Sequence, residues 1–153
     1  LKFYDKTQSA PYLAGLMYAC GSQVLADADV MAAVPLHPRR LRQRRYNQSL
    51  LLARALARVD RGSPEVPLLP DVLVRRRDTP AQTRLEGKAR RHNVRDAFAV
   101  PEATRAQLDG RHVVLIDDVV TTGATVNACA LALKKAGAAH VSVLALAKRV
   151  LEP

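Results

Sequence analysis

One segment in the last third of the sequence constrains the fold more than any other feature. It consists of a strand, a turn, a helix and a second strand. Residues 111–117 (RHVVLID) and 140–149 (HVSVLALAKR) are apolar runs, and residues 124–136 (ATVNACALALKKA) repeat apolar side chains at helical spacing. Gly137 follows this helix at the position where a glycine commonly ends one. Two continuously apolar strands joined through a helix are typical of parallel strands buried on both faces. The sequence therefore predicts an α/β fold with three layers and a mostly parallel central sheet.

The rest of the chain continues this alternation of helices and strands. Further helices are predicted at residues 10–25, 44–59 and 85–92, and further strands at residues 29–36, 71–76 and 97–100. In the first helix Ser9 is the expected N-cap. Its expected buried stripe consists of Leu13, Leu16, Met17, Cys20 and Val24. The second helix is expected to begin near Asn47 or Gln48. We expect one domain over residues 1–153, with a flexible basic loop at about 75–95.

Composition excludes some classes of protein. A hydrophobic content of 48% is too high for a disordered chain, and no apolar run reaches the roughly 18 residues that a membrane span needs. Cys20 and Cys129 lie in apolar segments with helical spacing, so we interpret them as buried free thiols rather than as a disulfide or a metal pair. Free thiols favour a reducing, cytoplasmic location.

The positive charge is concentrated in the middle of the chain. Residues 37–95 carry 16 Lys and Arg against 5 Asp and Glu, a net charge of +11, whereas the rest carries 8 against 9, a net charge of −1. This excess predicts binding to a polyanion. A solvated, Arg-rich surface is the alternative, and it explains scattered arginines better than the clusters within 34–48 and 75–93. Tyr46 is the only aromatic residue of the basic segment, which favours contacts to phosphates over base stacking.

The turn after the strongest strand has the features of a site for an anion beside neutral hydroxyls. Asp117 and Asp118 are expected at the carboxyl edge of the sheet, where ligands of such sheets bind. The turn Thr121–Thr125 leads into a helix N-terminus, whose free N–H groups and dipole favour a phosphate. Carboxylates beside a phosphate are useful when they bind sugar hydroxyls or hold Mg²⁺. A ribose 5-phosphate meets both requirements.

Three other interpretations each explain part of this segment. A Walker B strand also ends in aspartates, but the sequence contains no G-x-x-x-x-G-K-[ST] motif. The dinucleotide-binding motif G-x-G-x-x-G is absent as well. The third interpretation is an ordinary N-capped helix after a strand, which fits a lone Asp-Thr-Gly better than it fits all of residues 113–125.

Residues 113–125 (VVLIDDVVTTGAT) resemble the phosphoribosyl pyrophosphate (PRPP) signature of type I phosphoribosyltransferases. The resemblance implies that fold and a PRPP site. The implied PRPP contacts are Asp117, Asp118, Val119, Val120, Thr121, Thr122, Gly123, Ala124 and Thr125, together with Pro35, Leu36, His37, Arg39 and Arg40 of a pyrophosphate loop. Thr121 stands where hypoxanthine-guanine-type members carry an acid that acts as general base, so purine salvage of that kind is not expected.

The resemblance narrows further when residues upstream are included. The segments VPLH (34–37), RRYNQ (44–48), Arg77 to Leu85 and Arg91 to Phe98 precede the signature in the order found in the ComF family of competence-associated proteins. The resemblance to this family implies a cytoplasmic role in natural transformation, with incoming single-stranded DNA and a competence translocase ATPase as partners. Family members usually carry an N-terminal Cys-rich zinc module, which Cys20 and Cys129 alone cannot form. Either that module precedes Leu1 and is absent from this chain, or this member lacks it, and no zinc is expected within these residues.

The resemblance and the charge together give roles to individual residues. Catalytic roles are expected for Asp117, Asp118, Arg77 and Arg91, and Mg²⁺ is expected to reach the two aspartates through the ligand. Contacts to nucleic acid are expected from Arg39, Arg40, Arg42, Arg44, Arg45, Arg75, Arg76, Arg77, Arg84, Lys88, Arg90 and Arg91. His37 and His92 are interpreted as solvated or hydrogen-bonded rather than catalytic.

Two functions therefore stay open on the sequence alone. One is an enzyme that transfers phosphoribosyl from PRPP to an unidentified acceptor in nucleotide or amine metabolism. The other is a module that binds DNA and has kept the fold and a phosphosugar site. An α/β domain with a basic surface and no such site is the third alternative.

Overall fold

The computed structural model describes residues 9–36, 41–42, 46–59, 66–76 and 97–149. The elements follow in the order α1 (Ala10–Ala26), β1 (Val30–Ala33), α2 (Gln48–Ala57), β2 (Val74–Arg75), β3 (Phe98–Ala99), α3 (Glu102–Arg105), β4 (His112–Val120), α4 (Ala124–Lys135) and β5 (His140–Lys148). Helices and strands alternate through most of this order, as an α/β fold requires.

The central sheet has parallel strands in the order β1, β4, β5. Val30 pairs with Val113 in one ladder, and His112 pairs with His140 in the other. Both ladders are parallel, so β1, β4 and β5 all end at the same edge of the sheet. Strands β2 and β3 form a separate antiparallel pair. The predicted three-layer fold with a mostly parallel sheet is confirmed.

Successive residues of β4 supply two hydrophobic cores. Val113 and Leu115 pack in one cluster with residues of α4, such as Leu133. Val114 and Ile116 pack on the opposite face with residues of α1 and α2. Side chains alternate between the two faces of a strand, and all four of these residues are fully buried. A strand that is apolar on both faces therefore belongs at the centre of three layers, and β4 lies there.

Most predicted elements are confirmed, with changed ends. Strand β4 extends three residues past the predicted end at Asp117, because its pairing with β5 continues to Val120 and Lys148. Asn47 is the N-cap of α2, and its side chain accepts a hydrogen bond from the amide of Leu50. Gly137, with φ of +112°, follows α4 at the predicted place. The helix predicted at 85–92 lies outside the described residues.

The predicted buried stripe of α1 is wrong in part. Leu16 and Cys20 are exposed, so Cys20 is not the buried thiol that we predicted, whereas Cys129 is. Small residues face the sheet instead: a Cβ placed on Gly21 would lie 2.6 Å from a methyl carbon of Leu144. Helix α1 is apolar on several sides, and its buried residues are Ala10, Ala14, Met17, Gly21 and Leu25, of which only Met17 belongs to the predicted stripe. Ser9 occupies the N-cap position, but its side chain makes no capping hydrogen bond.

None of the described helices is both long enough and apolar enough to cross a membrane.

Candidate functional site

A cavity of about 190 Å³ opens at the carboxyl edge of the central sheet. Its walls come from residues just after β1, from the start of α2, from β2, and from the end of β4 with the turn that follows. The lining residues are Val34, Pro35, Leu36, Gln48, Ser49, Arg75, Asp117, Asp118, Val119, Val120, Thr121, Gly123, Ala124, Thr125 and Val126. Parallel strands that end at one edge place these separate segments around one space.

Asp117 is the most buried charged group of the cavity. It is 6% exposed, and its Oδ1 accepts hydrogen bonds from Ser49 Oγ at 3.0 Å and from the amide of Asp118 at 2.9 Å. Both donors engage the same oxygen, and Oδ2 has no hydrogen-bond partner among the described residues. One carboxylate oxygen is thus held by two donors of the protein, and the other receives none from the described residues.

Burial raises the pKa of Asp117 to about 6, and the neighbouring charge of Asp118 adds to this rise, while the hydrogen bond from Ser49 opposes it. Asp118 is only half-buried, and its Oδ1 accepts a hydrogen bond from the amide of Val119 at 2.9 Å. The two carboxylates therefore differ: one is buried and fixed, and the other is accessible at the cavity wall.

Burial also raises the pKa of the Cys129 thiol far above its ordinary value, which makes that residue an inert part of the core.

The turn between β4 and α4 is shaped to receive an anion. Gly123 has φ of +82°, in the left-handed region that favours glycine, and it is the N-cap of α4. The hydroxyl of Thr122 accepts a hydrogen bond from the amide of Ala124 at 3.4 Å. A twelve-residue helix begins here, with neither an acidic side chain in its first turn nor a capping side chain at Gly123. Its first amides and its dipole favour a negative group in the cavity.

Three consecutive residues at the start of α2 complete one wall. Asn47 donates a hydrogen bond from Nδ2 to the carbonyl of Val34 at 3.0 Å, which ties the start of α2 to the end of β1. Gln48 lines the cavity, and Ser49 binds Asp117. The triplet therefore fixes the position of α2 against two strands of the sheet.

Arg75 is the one basic residue among the described residues of the cavity wall. Its guanidinium carbon lies 5.3 Å from the ring centroid of Phe98, in a cation–π contact between β2 and β3. Arg75 also lines a second cavity of about 440 Å³, which shares Pro35 and Leu36 with the first. The wall of this second cavity is mainly apolar and includes Tyr46.

The structure brings together most of the residues predicted for PRPP. Of that set, ten line the cavity: Asp117, Asp118, Val119, Val120, Thr121, Gly123, Ala124, Thr125, Pro35 and Leu36. Thr122 lies in the same turn. The predicted site residues that lie outside the described part of the chain are His37, Arg39, Arg40, Arg44, Arg45, Arg77, Arg84, Lys88, Arg90 and Arg91, and His92 lies outside it as well. Of the arginines predicted for nucleic acid, Arg42 and Arg76 are exposed and Arg75 lines the cavity.

Sequence reasoning missed Ser49, although a signal was present. Ser49 lies three and seven residues before Leu52 and Leu56, which are the buried positions of α2. A hydroxyl on the apolar stripe of an amphipathic helix is unusual because its burial must be compensated by a hydrogen bond. The partner could not be read from the sequence, since Asp117 is 68 residues away.

Comparisons with known proteins agree with this geometry. Residues 47–150 match the family described as phosphoribosyl transferase domain. The chain is 34% identical over 120 residues to Competence protein F of Haemophilus influenzae, covering 78% of this chain and 50% of the relative. It is 34% identical over 153 residues to the DNA utilization protein YhgH of Escherichia coli K12, covering 97% of this chain and 64% of the relative.

A solved structure shares the fold. Glutamine PRPP amidotransferase from B. subtilis, complexed with ADP and GMP, superposes with a TM-score of 0.58 and is 25% identical. The match covers 95% of this chain and 28% of that enzyme. The chain thus spans 50–64% of the length of the two curated relatives and about a quarter of the enzyme's.

Proposed function

The chain belongs to the family of phosphoribosyl transferase domains. From this premise we propose that its cavity binds PRPP, with the ribose at the aspartates and the 5-phosphate at the turn. The observation that carries this proposal is the pairing of Asp117 and Asp118 with the left-handed turn at Gly123 in one cavity. Carboxylates accept hydrogen bonds from the 2′- and 3′-hydroxyls, and the first amides of α4 bind the phosphate.

The donor set fits a magnesium-bound pyrophosphate better than a metal held by the protein alone. Among the described residues, no three His, Cys, Asp or Glu side chains are grouped to hold a metal ion. Carboxylate oxygens are ligands that Mg²⁺ accepts, and Mg²⁺ keeps several other oxygen ligands. Bound to PRPP, the metal would neutralise the charge of the pyrophosphate beside Asp117 and Asp118. Arg75 in the cavity wall adds a fixed positive charge to this environment.

The site suits binding of the ribose more directly than activation of an acceptor. Thr121, at the exposed end of the turn, carries a hydroxyl that stays neutral near pH 7, so it cannot act as a general base. Transfer to an acceptor would need a base from the acceptor or from another segment. Loss of pyrophosphate from an oxocarbenium-like ribose would be assisted by positive charge around the leaving group, for which Arg77 and Arg91 stay candidates.

Calorimetry with PRPP·Mg²⁺ tests the binding proposal. We expect wild type to bind, and we expect Asp117→Asn and Asp118→Asn to weaken binding about tenfold or more, because each removes a charged acceptor of a hydroxyl. Asp27→Asn is the matched control, since Asp27 is an exposed carboxylate at the C-cap of α1. Equal affinity in all four proteins would refute the proposal.

For the biological role we propose handling of single-stranded DNA during uptake, with a competence translocase ATPase among the cytoplasmic partners. The relatives named for competence and for DNA utilization support this role, and so does the net charge of +11 over residues 37–95. Exposed Arg42 and Arg76 adjoin Leu41 and Arg75 of the second cavity in sequence, so they are candidates for contacts to phosphates beside it.

A phosphoribosyltransferase of nucleotide or amine metabolism without a DNA role is the competing function. It is favoured by the amidotransferase whose fold the chain shares. The two functions differ in one observable: release of pyrophosphate from PRPP with a free acceptor, in the absence of DNA, is expected only of the metabolic enzyme.

A further inference from the structure

Ser49 and Asp117 stand out in the described residues as the only polar or charged side chains that are buried. They are 4% and 6% exposed and bind each other at 3.0 Å across the interface of α2 and β4. A hydroxyl and a carboxylate are costly to bury, and the core would be served as well by alanine at position 49. We therefore expect the pair to have a role in addition to holding α2 on the sheet.

The geometry of the hydrogen bond indicates that role. Ser49 Oγ and the amide of Asp118 both bind Oδ1 of Asp117, at 3.0 and 2.9 Å. The backbone amide alone would let the carboxylate turn, because it is a single donor on the neighbouring residue. A second donor from another element restricts rotation of the carboxylate, and with it the position of the other oxygen of Asp117, a residue that lines the cavity.

We propose that Ser49 is a positioning residue that fixes the Asp117 carboxylate so that its second oxygen accepts a ribose hydroxyl of the ligand. This inference rests on the proposed binding of PRPP. Ser49 touches no ligand in this role, and it acts only through Asp117. Its loss should weaken ligands that contain the ribose and should leave pyrophosphate binding unchanged.

The test compares three probes by calorimetry: PRPP·Mg²⁺, ribose 5-phosphate and magnesium pyrophosphate. For Ser49→Ala we expect about tenfold weaker binding of the two ribose-containing probes, and pyrophosphate affinity within about twofold of wild type. Alanine is the better helix former, so the fold of α2 should persist. Ser142→Ala is the matched control, since it removes a half-buried hydroxyl that binds His112 Nε2 at 2.8 Å in another part of the sheet.

A double-mutant cycle with Asp117→Ala, which removes the acceptor of the Ser49 hydrogen bond, decides whether Ser49 acts through Asp117. We expect Ser49→Ala to weaken ribose 5-phosphate in the wild-type background and to change nothing further in the Asp117→Ala background. Additive losses, or an equal loss for pyrophosphate, would overturn the inference. If wild type binds neither PRPP nor ribose 5-phosphate, the proposed function itself fails; if wild type and Ser49→Ala bind equally well, only the role of Ser49 fails.

Discussion

At the scale of single residues, Asp117 combines a proposed ligand-binding role with a cost to the fold. Its pKa is raised by burial from 3.8 to about 6, so between these values the folded protein holds a proton that the unfolded chain releases. The free energy of unfolding therefore falls as the pH rises through this window, and the loss persists at pH 7.5. Each unit of pKa corresponds to about 1.4 kcal/mol, so the charge costs on the order of 3 kcal/mol at neutral pH.

Asp117→Asn is accordingly expected to stabilise the fold at pH 7.5 while it weakens PRPP binding. The amide oxygen of Asn can still accept the hydrogen bond from Ser49, and no charge is buried. The gain should vanish near pH 4, where wild-type Asp117 is protonated. Urea unfolding at both pH values measures this, with Asp27→Asn as an exposed control that should change little. A variant less stable than wild type at pH 7.5 would contradict the raised pKa.

Motif spacing located the residues on β4 and its turn but could not locate their partner on α2. Asp117, Asp118 and Gly123 follow one another within seven residues, so the order of the chain alone places them at one edge. The contact from Ser49 depends on how α2 packs on the sheet, which is a tertiary property. Local patterns predict residues that share a turn, and they do not predict hydrogen bonds between distant elements.

At the scale of secondary structure elements, two glycines at helices should respond oppositely to alanine. Gly15 lies inside α1, and a Cβ placed there meets nothing within 4 Å. Gly123 begins α4 with φ of +82°, where a side chain is strained. We expect Gly15→Ala to stabilise the fold by about 0.5–1 kcal/mol and Gly123→Ala to destabilise it by about 1–2 kcal/mol.

Thermal and urea unfolding of both variants measure these effects. Gly123→Asn is the matched control for backbone strain, because asparagine adopts the left-handed conformation more readily than alanine does. It should lose less stability than Gly123→Ala. Equal losses would mean that the space around the turn, rather than its backbone conformation, sets the cost.

Prediction of whole elements succeeded where apolar residues are continuous and failed where one side of a helix must be chosen. Strands β4 and β5 are marked by continuous apolar residues, and α4 between them follows from spacing. Helix α1 has apolar residues on several sides, so spacing did not identify its buried side. The close contact of Gly21 with Leu144 decides that side, and it appears only when the helix and the sheet are packed together.

At the scale of the whole molecule, charge is separated along the chain rather than balanced. The part of the chain outside residues 37–95, with a net charge of −1, contains β5 and also β4 with its two aspartates, whereas the basic segment supplies α2 and β2. Elements from both parts meet at the cavity, which both Arg75 and Asp118 line. A ligand with a neutral sugar between two anionic groups suits such a boundary. Its anionic groups need positive charge, and its sugar hydroxyls need hydrogen-bond acceptors such as carboxylates.

The same separation predicts how binding of single-stranded DNA depends on salt. Each phosphate neutralised on a single strand changes the slope of log K against log salt by about −0.7. Arg39→Ala/Arg40→Ala/Arg44→Ala should therefore weaken binding at low salt and make the slope shallower by about 2 if all three arginines contact phosphates. Fluorescence anisotropy with a labelled oligonucleotide between about 50 and 200 mM salt measures both quantities. The control removes three exposed arginines outside the basic segment, Arg105, Arg111 and Arg149, and it should keep the wild-type slope. Equal slopes for the two triple variants would show that the basic segment does not contact DNA. Absence of wild-type binding at low salt would refute the DNA proposal, whereas the PRPP proposal is tested separately by calorimetry.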